Sequence, residues 1–372
     1  MITTESIFEL LLKPQVGLNY TLKQWQEMLF VLREAKLVAS LYNSAMRHNC
    51  YQAYPDFIQQ HLNSACVYAQ RQALQIRFEA VELCKLLEEI DVTAIFLKGA
   101  GYTLRDSINS RGRICSDLDL LVNKQDIARA EAHLKLKRWK SQHLTDYDEQ
   151  YYRQWAHEIP PLIHINRSTV VDMHHNLYPP ISGRAVDIAC FISSREKTQS
   201  GCFVLDPAST VMHSIIHMFA NEDSSSWTRD LLDITLLVDE FQDSGFWQQL
   251  IHLAKQTKFE FEFISCLHAL AHYSAIEFPI EVANYMKQRN LTGSDRWLVE
   301  NVIIPAIAPE HDHVVTKRIA FAKMMVYLRG HWIKMPAAIL CKHFAVKTFL
   351  SLRDKLFGKH HFDPKLPKNP NW

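Results

Sequence analysis

The sequence predicts an α+β protein that is mostly helical, with a small mixed β-sheet between an N-terminal and a C-terminal helical region. Long stretches on both sides of the middle of the chain carry apolar residues at three- and four-residue spacing, which is typical of helices. Between them, short apolar runs flank a glycine-containing turn, as strands do. Only 10 of the 372 residues are glycine, which also favours helices over a large sheet.

The first predicted domain is helical and covers residues 1–90. The helical period is interrupted at Tyr54-Pro55-Asp56, where a new helix is expected to start. From residue 57 to residue 89 the pattern predicts one long helix. Its buried stripe is expected to contain Leu62, Ala65, Ala69, Leu74, Phe78, Val81 and Leu86. Such a stripe favours packing against the central domain over a role in chemistry.

The central stretch, residues 92–122, predicts a strand, a glycine turn, a brief helix and a second strand. Alternate side chains of a strand point to opposite faces, so Asp117 and Asp119 share a face, with Cα atoms about 7 Å apart. Two carboxylates held in this way can share divalent cations, and Mg²⁺ combines one or two carboxylates with phosphate oxygens. The turn at Lys98-Gly99-Ala100-Gly101 would let a phosphate approach the backbone and the helix that follows.

Another acidic position follows in a predicted hairpin. Two β-branched runs between Leu162 and His175 flank Asn166-Arg167-Ser168, which is a hairpin signature. On the second strand Asp172 and His174 point to the same face, and apolar side chains point to the other. The hairpin therefore places a carboxylate and an imidazole on one face of a strand whose other face is apolar.

These motifs resemble those of the DNA polymerase β-like nucleotidyltransferase superfamily, in which a glycine turn is followed by an Asp-x-Asp strand. The closer resemblance is to a bacterial branch termed uncharacterised nucleotidyltransferase family proteins. It is carried by Leu97-Lys98-Gly99-Ala100 and by Arg113-x-x-Ser116-Asp117-x-Asp119-Leu120-Leu121-Val122. Val171-Asp172-x-His174 also resembles the corresponding segment of that branch. The resemblance extends from about Val92 to Asp233.

The resemblance implies a polymerase β-like core over residues 91–203 with two Mg²⁺ ions, for which Mn²⁺ is the alternative. Asp117 and Asp119 would bind the ions, and Asp172 would be the third metal ligand or the base that activates the acceptor hydroxyl. The implied substrate-binding residues are Lys98, Gly99, Ala100, Arg113, Ser116 and His174. Lys98 and Arg113 would neutralise phosphate charge. For His174, satisfying local hydrogen bonds is an equal alternative.

One position departs from the superfamily pattern. The glycine turn usually continues with a serine whose hydroxyl contacts a phosphate, whereas this chain has Ala100. The alanine removes one phosphate hydrogen bond, worth on the order of 1 kcal/mol. The bacterial branch looks the same here, so the change need not abolish activity.

Three further stretches of the sequence each allow two interpretations. Residues 147–158 are interpreted as a helix packing on the sheet, with an aromatic surface for a nucleobase as the alternative. His213 and His217 have the spacing of a helical zinc pair, but without an evident third ligand, contacts at a domain interface are favoured. Arg229 is expected to form an interior ion pair with Asp230 or Asp233, and contact with a substrate phosphate is the alternative.

The C-terminal helical domain is predicted over residues 204–360 and is followed by a disordered tail at 361–372, rich in proline and lysine. The segment 334–359 is basic and amphipathic. This pattern favours a solvated helix face, with an acidic partner or anionic lipid headgroups as the alternative.

Composition indicates which partners and which cellular compartment the protein is expected to have. The net charge of +1 gives no reason to expect a general binder of nucleic acid or membrane surfaces. No apolar run approaches membrane-spanning length and no signal peptide opens the chain. The eight cysteines are scattered without a Cys-x-x-Cys pair, so we expect them to be reduced and the protein to be cytoplasmic.

The leading hypothesis is transfer of a nucleoside monophosphate from an NTP to an unidentified acceptor, with release of pyrophosphate. A small-molecule acceptor is favoured over protein or tRNA because the net charge is near zero. One rival is a catalytically silent nucleotide-binding or scaffolding module. Another is a toxin-like nucleotidyltransferase that modifies tRNA or protein. The sequence indicates neither the preferred NTP nor the oligomeric state.

Overall fold

The computed structural model describes residues 2–142, 144–242, 245–274 and 276–357. Within these ranges the chain is mostly helical and contains one mixed seven-stranded sheet. The predicted α+β class with flanking helical regions is confirmed. The predicted tail at 361–372 lies outside the described residues, as does the end of the predicted C-terminal domain at 358–360.

The helices that precede the sheet begin at positions marked in the sequence. Thr3 and Thr21 each accept a hydrogen bond from a backbone N–H in the first helical turn, and the proline break at residue 55 stands directly before the longest helix. These helices are α1 (Thr4–Leu12), α2 (Leu22–Glu34), α3 (Val38–Arg47) and α4 (Asp56–Glu88).

Helix α4 contributes to two separate cores. Leu62 in its first half packs with α1–α3, and Leu83 in its second half packs beneath the sheet. The predicted buried stripe is therefore correct at Leu62 and wrong at Leu74 and Phe78, whose side chains are 67% and 55% exposed. A helix of 33 residues that meets different partners along its length changes its buried face, which a single stripe cannot describe.

The sheet is formed by short strands that are separated by helices and loops. Its strands are β1 (Ala94–Phe96), β2 (Leu118–Val122), β3 (Trp139–Ser141), β4 (Leu162–His164), β5 (Val170–His174), β6 (Glu196–Lys197) and β7 (Phe203–Val204). The intervening helices are α5 (Lys98–Arg105), α6 (Ile127–Leu136), α7 (Asp146–Gln154) and α8 (Ala189–Ser193). The strand order is β3-β4-β5-β2-β1-β7-β6, with β2 parallel to β5 and antiparallel to β1.

The two faces of the sheet have separate cores. On the lower face, Leu118, Leu120 and Met173 pack with α4 and α6. On the upper face, Ile95 and Leu121 belong to one continuous core with helices from both ends of the chain. Since strand positions alternate, the acidic positions of β2 and β5 lie on the upper face.

The C-terminal helices cover this upper face. They are α9 (Pro207–Ala220), α10 (Trp227–Phe241), α11 (Phe246–Thr257), α12 (Glu260–Tyr273), α13 (Ile280–Gln288), α14 (Gly293–Leu298), α15 (Ile304–Ala306), α16 (Lys317–Lys334) and α17 (Ala337–Phe357). Helix α9 lies between the sheet and α10–α12 and is capped by Asp206, which accepts a hydrogen bond from the Ser209 N–H. None of the described helices is long and apolar enough to cross a membrane.

Candidate active site

The glycine turn connects β1 to α5 and brings Lys98 back over the sheet. The Leu97 N–H donates to the Asp119 carbonyl oxygen at 3.0 Å, which holds the turn against β2. Lys98 has φ of +44°, in the left-handed region that residues other than glycine rarely adopt. Its Nζ donates to Asp119 Oδ1 at 3.0 Å. The turn therefore places the Lys98 ammonium group in direct contact with the Asp119 carboxylate on β2.

Gly99 is required by the close approach of two side chains. A Cβ at this position would lie 2.6 Å from Arg113 Nη1 and 2.7 Å from Cys115 Sγ. The Arg113 side chain is 10% exposed, stacks over Tyr102 at 5.4 Å from the ring centre and donates from Nε to Asp233 Oδ2 at 2.6 Å. Arg113, which was predicted to neutralise phosphate charge, is thus paired with Asp233 on α10, and its guanidinium lies beside Gly99 in the turn.

Ala100 points away from the cleft. Its side chain is 1% exposed and belongs to the lower core, with Phe96 and Leu104. Of the predicted substrate-binding side chains, this one has no surface towards the carboxylates, so only its backbone could face a phosphate. The helical turn of α5 sends consecutive residues in different directions, which the motif comparison does not reveal.

The two strand carboxylates on β2 and β5 are direct neighbours. Asp119 and Asp172 are register partners in the parallel pair, and neighbouring strands lie about 4.8 Å apart. Asp117 comes just before β2, is half-buried and lines the same cleft. Ser116 donates from Oγ to Asp117 Oδ1 at 3.2 Å. The structure therefore brings all three predicted acids together.

Asp119 and Asp172 have opposite electrostatic environments. Burial alone would raise the pKa of Asp119, but Lys98 and His174 lower it well below its usual range. Burial raises the pKa of Asp172 to about 7, and the nearby Asp119 and Glu158 carboxylates add to the shift. Asp172 Oδ1 is buried and has no hydrogen-bond partner among the described residues. Asp119 is thus ionised at neutral pH, whereas Asp172 gains or loses its proton close to pH 7.

His174 connects Asp119 to Glu158, a carboxylate that the sequence analysis did not assign to the site. His174 Nε2 lies 2.9 Å from Asp119 Oδ1, and Nδ1 lies 3.4 Å from Glu158 Oε2. Burial lowers the pKa of His174, but the two carboxylates outweigh it and raise the pKa above its usual value.

The error at Glu158 came from the helix predicted over residues 147–158. Helix α7 ends at Gln154, and Glu158 instead forms an isolated bridge with His174 in the sheet. The signal that the sequence offered was the pair of prolines at 160 and 161, which follow Glu158 and disfavour a helix there.

The site residues line a cleft with two adjoining lobes that share Lys98, Asp117, Asp119 and His217. The larger lobe has a volume of about 290 Å³ and is completed by Tyr151, Tyr152, Glu158, Asp172, His174, Glu222 and Lys334. The smaller lobe, about 160 Å³, is completed by Arg113, Ser116, Arg229, Asp230 and Asp233. Helices α7, α9, α10 and α16 therefore all contribute to the walls.

The structure gives positions for His213, His217 and Arg229, for each of which the sequence allowed two roles. The rings of His213 and His217 are 6.4 Å apart, and His217 lines both lobes. In the described part of the chain, neither belongs to a group of side chains that could hold a metal ion. Arg229 lies 3.6 Å from Asp230, the expected interior ion pair, and also lines the smaller lobe.

The family follows from a comparison of the whole chain with protein-family models. Residues 21–274 match the model of the family described as Uncharacterised nucleotidyltransferase. The chain belongs to this family. Membership in it supports a general role in nucleotidyl transfer. No curated protein matches the chain.

The match to the Uncharacterised nucleotidyltransferase family covers the cleft except for one wall. It includes the sheet and α2–α12, and therefore every side chain of the smaller lobe. Lys334, on α16, lies beyond residue 274. It pairs with Glu222 and donates to Asn221 Oδ1 at 3.0 Å, so that α16 is fastened to the rim of the cleft.

Proposed function

We propose that this protein transfers a nucleoside monophosphate from an NTP to an acceptor and releases pyrophosphate. The observation that carries the proposal is the in-register pair of Asp119 and Asp172, with Asp117 in the same cleft. The residues fit Mg²⁺, with Mn²⁺ as the alternative, because all donors are carboxylate oxygens and Asp172 Oδ1 is buried without a partner in the part of the chain that the structure describes. Asp117, Asp119 and Asp172 would hold the ions. When bound, they neutralise phosphate charge and lower the pKa of the attacking hydroxyl.

The smaller lobe suits the triphosphate. Its walls carry Arg113 and Arg229, and Lys98 lies where the two lobes meet. Because Gly99 has no side chain, the Arg113 guanidinium can lie beside the turn in the wall of this lobe, where it would contact a phosphate. Ser116 adds a hydroxyl beside Asp117. These groups would hold the phosphates in place while charge develops on them.

The larger lobe suits the nucleoside or the acceptor. Tyr151 and Tyr152 provide aromatic surface on one side, and Glu222 and Lys334 provide charge on the other. With a pKa of about 7 in the metal-free protein, Asp172 can accept a proton from a hydroxyl near neutral pH. Either role, metal ligand or base, needs the position of Asp172 beside Asp119.

The size of the larger lobe and the net charge of +1 favour a small-molecule acceptor. A silent nucleotide-binding module and a nucleotidyltransferase that modifies tRNA or protein are the rival functions. The cytoplasmic location stays a prediction from the cysteines, which are all free in the structure.

The test is a panel of α-labelled NTPs with Mg²⁺ or Mn²⁺ and a cell extract. Wild-type protein is compared with the double variant Asp117→Asn/Asp119→Asn and with Asp312→Asn, which changes an exposed aspartate far from these residues in sequence. We expect label transfer with wild type and Asp312→Asn and none with the double variant. Label on a macromolecule would identify the protein- or tRNA-modifying rival. Mg²⁺-dependent NTP binding without transfer would identify the silent module, and transfer that survives the double substitution would overturn the mechanism.

A further inference from the structure

A second set of possible metal ligands lies in the larger lobe, beside the three aspartates but separate from them. Of the described residues, His157, Glu158 and His174 each offer a ligand atom, and these atoms all lie within 4.8 Å of one another. His174 Nδ1 is 3.4 Å from Glu158 Oε2, and the two histidine rings are 5.1 Å apart. All three residues line the lobe, so an ion bound there would be open to it.

The backbone fixes this group firmly. The His157 carbonyl oxygen accepts from the His175 N–H at 2.8 Å, and the Ile159 N–H donates to the Met173 carbonyl oxygen at 3.0 Å. Residues 157–159 are thereby joined to β5, with Glu158 opposite His174. Ligands on paired backbone segments are held more precisely than ligands on a free loop.

The hydrogen bonds around the histidines are those expected of metal ligands. A metal-bound histidine usually donates its other ring N–H to a carboxylate, which fixes the ring and its tautomer. His174 Nε2 meets Asp119 Oδ1 at 2.9 Å, which leaves Nδ1 directed at Glu158. His157 Nδ1 is buried and has no hydrogen-bond partner within the described ranges, although buried polar atoms are nearly always paired.

We propose that His157, Glu158 and His174 bind one Zn²⁺ ion at a site distinct from the Mg²⁺ site of the three aspartates. Two imidazoles and one carboxylate form a ligand set that zinc uses in sites with an open fourth position, whereas Mg²⁺ prefers oxygen donors alone. The proposal goes beyond nucleotidyl transfer, because binding at this site needs no nucleotide.

The ligand atoms need only a small adjustment. Donors at about 2.1 Å from a tetrahedral ion lie about 3.4 Å from one another. The His174–Glu158 distance already has this value, and the widest separation in the group is no more than 4.8 Å. The Glu158 side chain is 23% exposed and faces the lobe, so its carboxylate can rotate towards an ion bound between the two imidazoles.

The fourth position would face the lobe that also contains Asp172. A zinc ion there would offer a charged contact to a substrate oxygen that enters the larger lobe. Since His174 also contacts Asp119, zinc would be coupled to the carboxylate of the proposed catalytic site through one imidazole.

The test is a zinc titration of the full-length, chelator-stripped protein against a competing chromophoric chelator, without nucleotide. The Co²⁺-loaded protein is also recorded by visible absorption, which reports the coordination geometry. We expect one tight site per chain and a tetrahedral Co²⁺ spectrum. Both His157→Gln and Glu158→Gln should weaken zinc at least tenfold, and Asp119→Asn should weaken it by about 10–100-fold through His174.

Two controls make the result specific. His175→Gln changes the neighbouring histidine, which is outside the ligand group, and Asp117→Asn changes the proposed Mg²⁺ site; both should leave zinc affinity unchanged. Thermal unfolding identifies any variant that fails to fold, and the two independent ligand variants keep the test decisive. Zinc affinity that is unaffected by both His157→Gln and Glu158→Gln would overturn the proposal, as would the absence of a tight site. Label transfer is measured separately, so failure of either proposal is recognised without the other.

Discussion

Asp119 and Asp172 lie side by side on neighbouring parallel strands, yet the pKa of Asp119 is well below its usual range and the pKa of Asp172 is raised to about 7. The difference arises because Lys98 and His174 both contact Asp119 Oδ1, whereas Asp172 Oδ1 has no partner among the described residues. Asymmetry between adjacent carboxyl groups often marks the site of acid–base or metal chemistry. It also gives the protein a specific pH dependence.

Asp172 should make the metal-free protein less stable at high pH. Its pKa is raised from 3.8 to about 7 on folding, so its stabilising contribution is present below pH 4 and is lost as the pH rises through 7. At about 1.4 kcal/mol per pKa unit, the loss is at most about 4 kcal/mol. In EDTA, Asp172→Asn should therefore flatten the dependence of the unfolding free energy on pH between 5 and 8, as measured by urea denaturation. Asp312→Asn serves as the control, and parallel curves for Asp172→Asn and wild type would contradict the prediction.

Lys98→Met should impair catalysis more than folding. The substitution removes the ammonium group from Asp119 but leaves the hydrogen bond from His174. We expect kcat/KM for the NTP to fall by about 10²–10³-fold, the range for loss of a preorganised charged contact. Because the pKa of Asp119 should rise, the acidic limb of the pH–rate profile should move to higher pH. Steady-state kinetics measure both effects, with Lys85→Met, an exposed lysine on α4, as the control.

Ala100→Ser should not improve nucleotide binding, although serine is the usual residue of the superfamily. The Ala100 side chain is buried in the lower core, so a hydroxyl there would lack both a phosphate and a ready partner. We expect a loss of about 1–3 kcal/mol in unfolding free energy and an unchanged Kd for the NTP. Isothermal titration calorimetry with Mg²⁺ and the NTP measures the Kd. Tighter binding by the serine variant would mean that residue 100 faces the phosphates.

Glu79→Ala should destabilise the hairpin that carries Asp172. Glu79 is 1% exposed and accepts hydrogen bonds from Arg167 Nη2 at 2.9 Å and from Thr169 Oγ1 at 2.9 Å. Removing the carboxylate leaves the buried Thr169 hydroxyl unpaired and takes the ion-pair partner from Arg167, whose side chain is 34% exposed, at a cost of about 1–3 kcal/mol. The control is Lys85→Ala, which removes an exposed ion pair on the same helix and should cost less than about 1 kcal/mol. Equal effects of the two substitutions in urea denaturation would show that the buried contacts contribute little.

Cys84 and Cys202 should form a disulfide when the protein is treated with diamide. Their sulfur atoms are 2.6 Å apart, and the hydrogen bond from Cys84 lowers the pKa of Cys202 to about 7, which favours the thiolate. The two thiols would lose two electrons and two protons to diamide. Thiol titration of the denatured protein should then show two fewer thiols than before treatment. Cys84→Ser should prevent the loss, whereas Cys266→Ser, which changes a buried cysteine elsewhere, should not.

The predictions from strand periodicity agree with the structure. Alternation places Leu118 and Leu120 in the lower core and Asp119 on the opposite face, and the hairpin places Asp172 on that face as well. These are local properties, since the direction of a side chain in a strand depends only on its position along that strand. The helical character of the flanking regions was predictable for the same reason.

The predictions that depended on distant contacts were less successful. Glu158 and His157 were not assigned to the site, because their positions follow from pairing between residues 157–159 and β5. Lys334 enters the cleft from a helix at the other end of the chain. Ala100 matches the motif in sequence but points into the core. A local sequence pattern does not specify which side chains of a motif will contact a helix from a distant part of the chain.

The sequence by itself determined the fold class and the faces of the strands, because short-range periodicity is a property of the local chain, and its resemblance to a known family singled out the three acidic residues. Only the tertiary structure decided which carboxylate is paired with Lys98, which one is left without a partner, and that His157, Glu158 and His174 converge. Those outcomes depend on the pairing of strands and the packing of helices that are far apart in sequence, where burial and neighbouring charges set each side chain's environment.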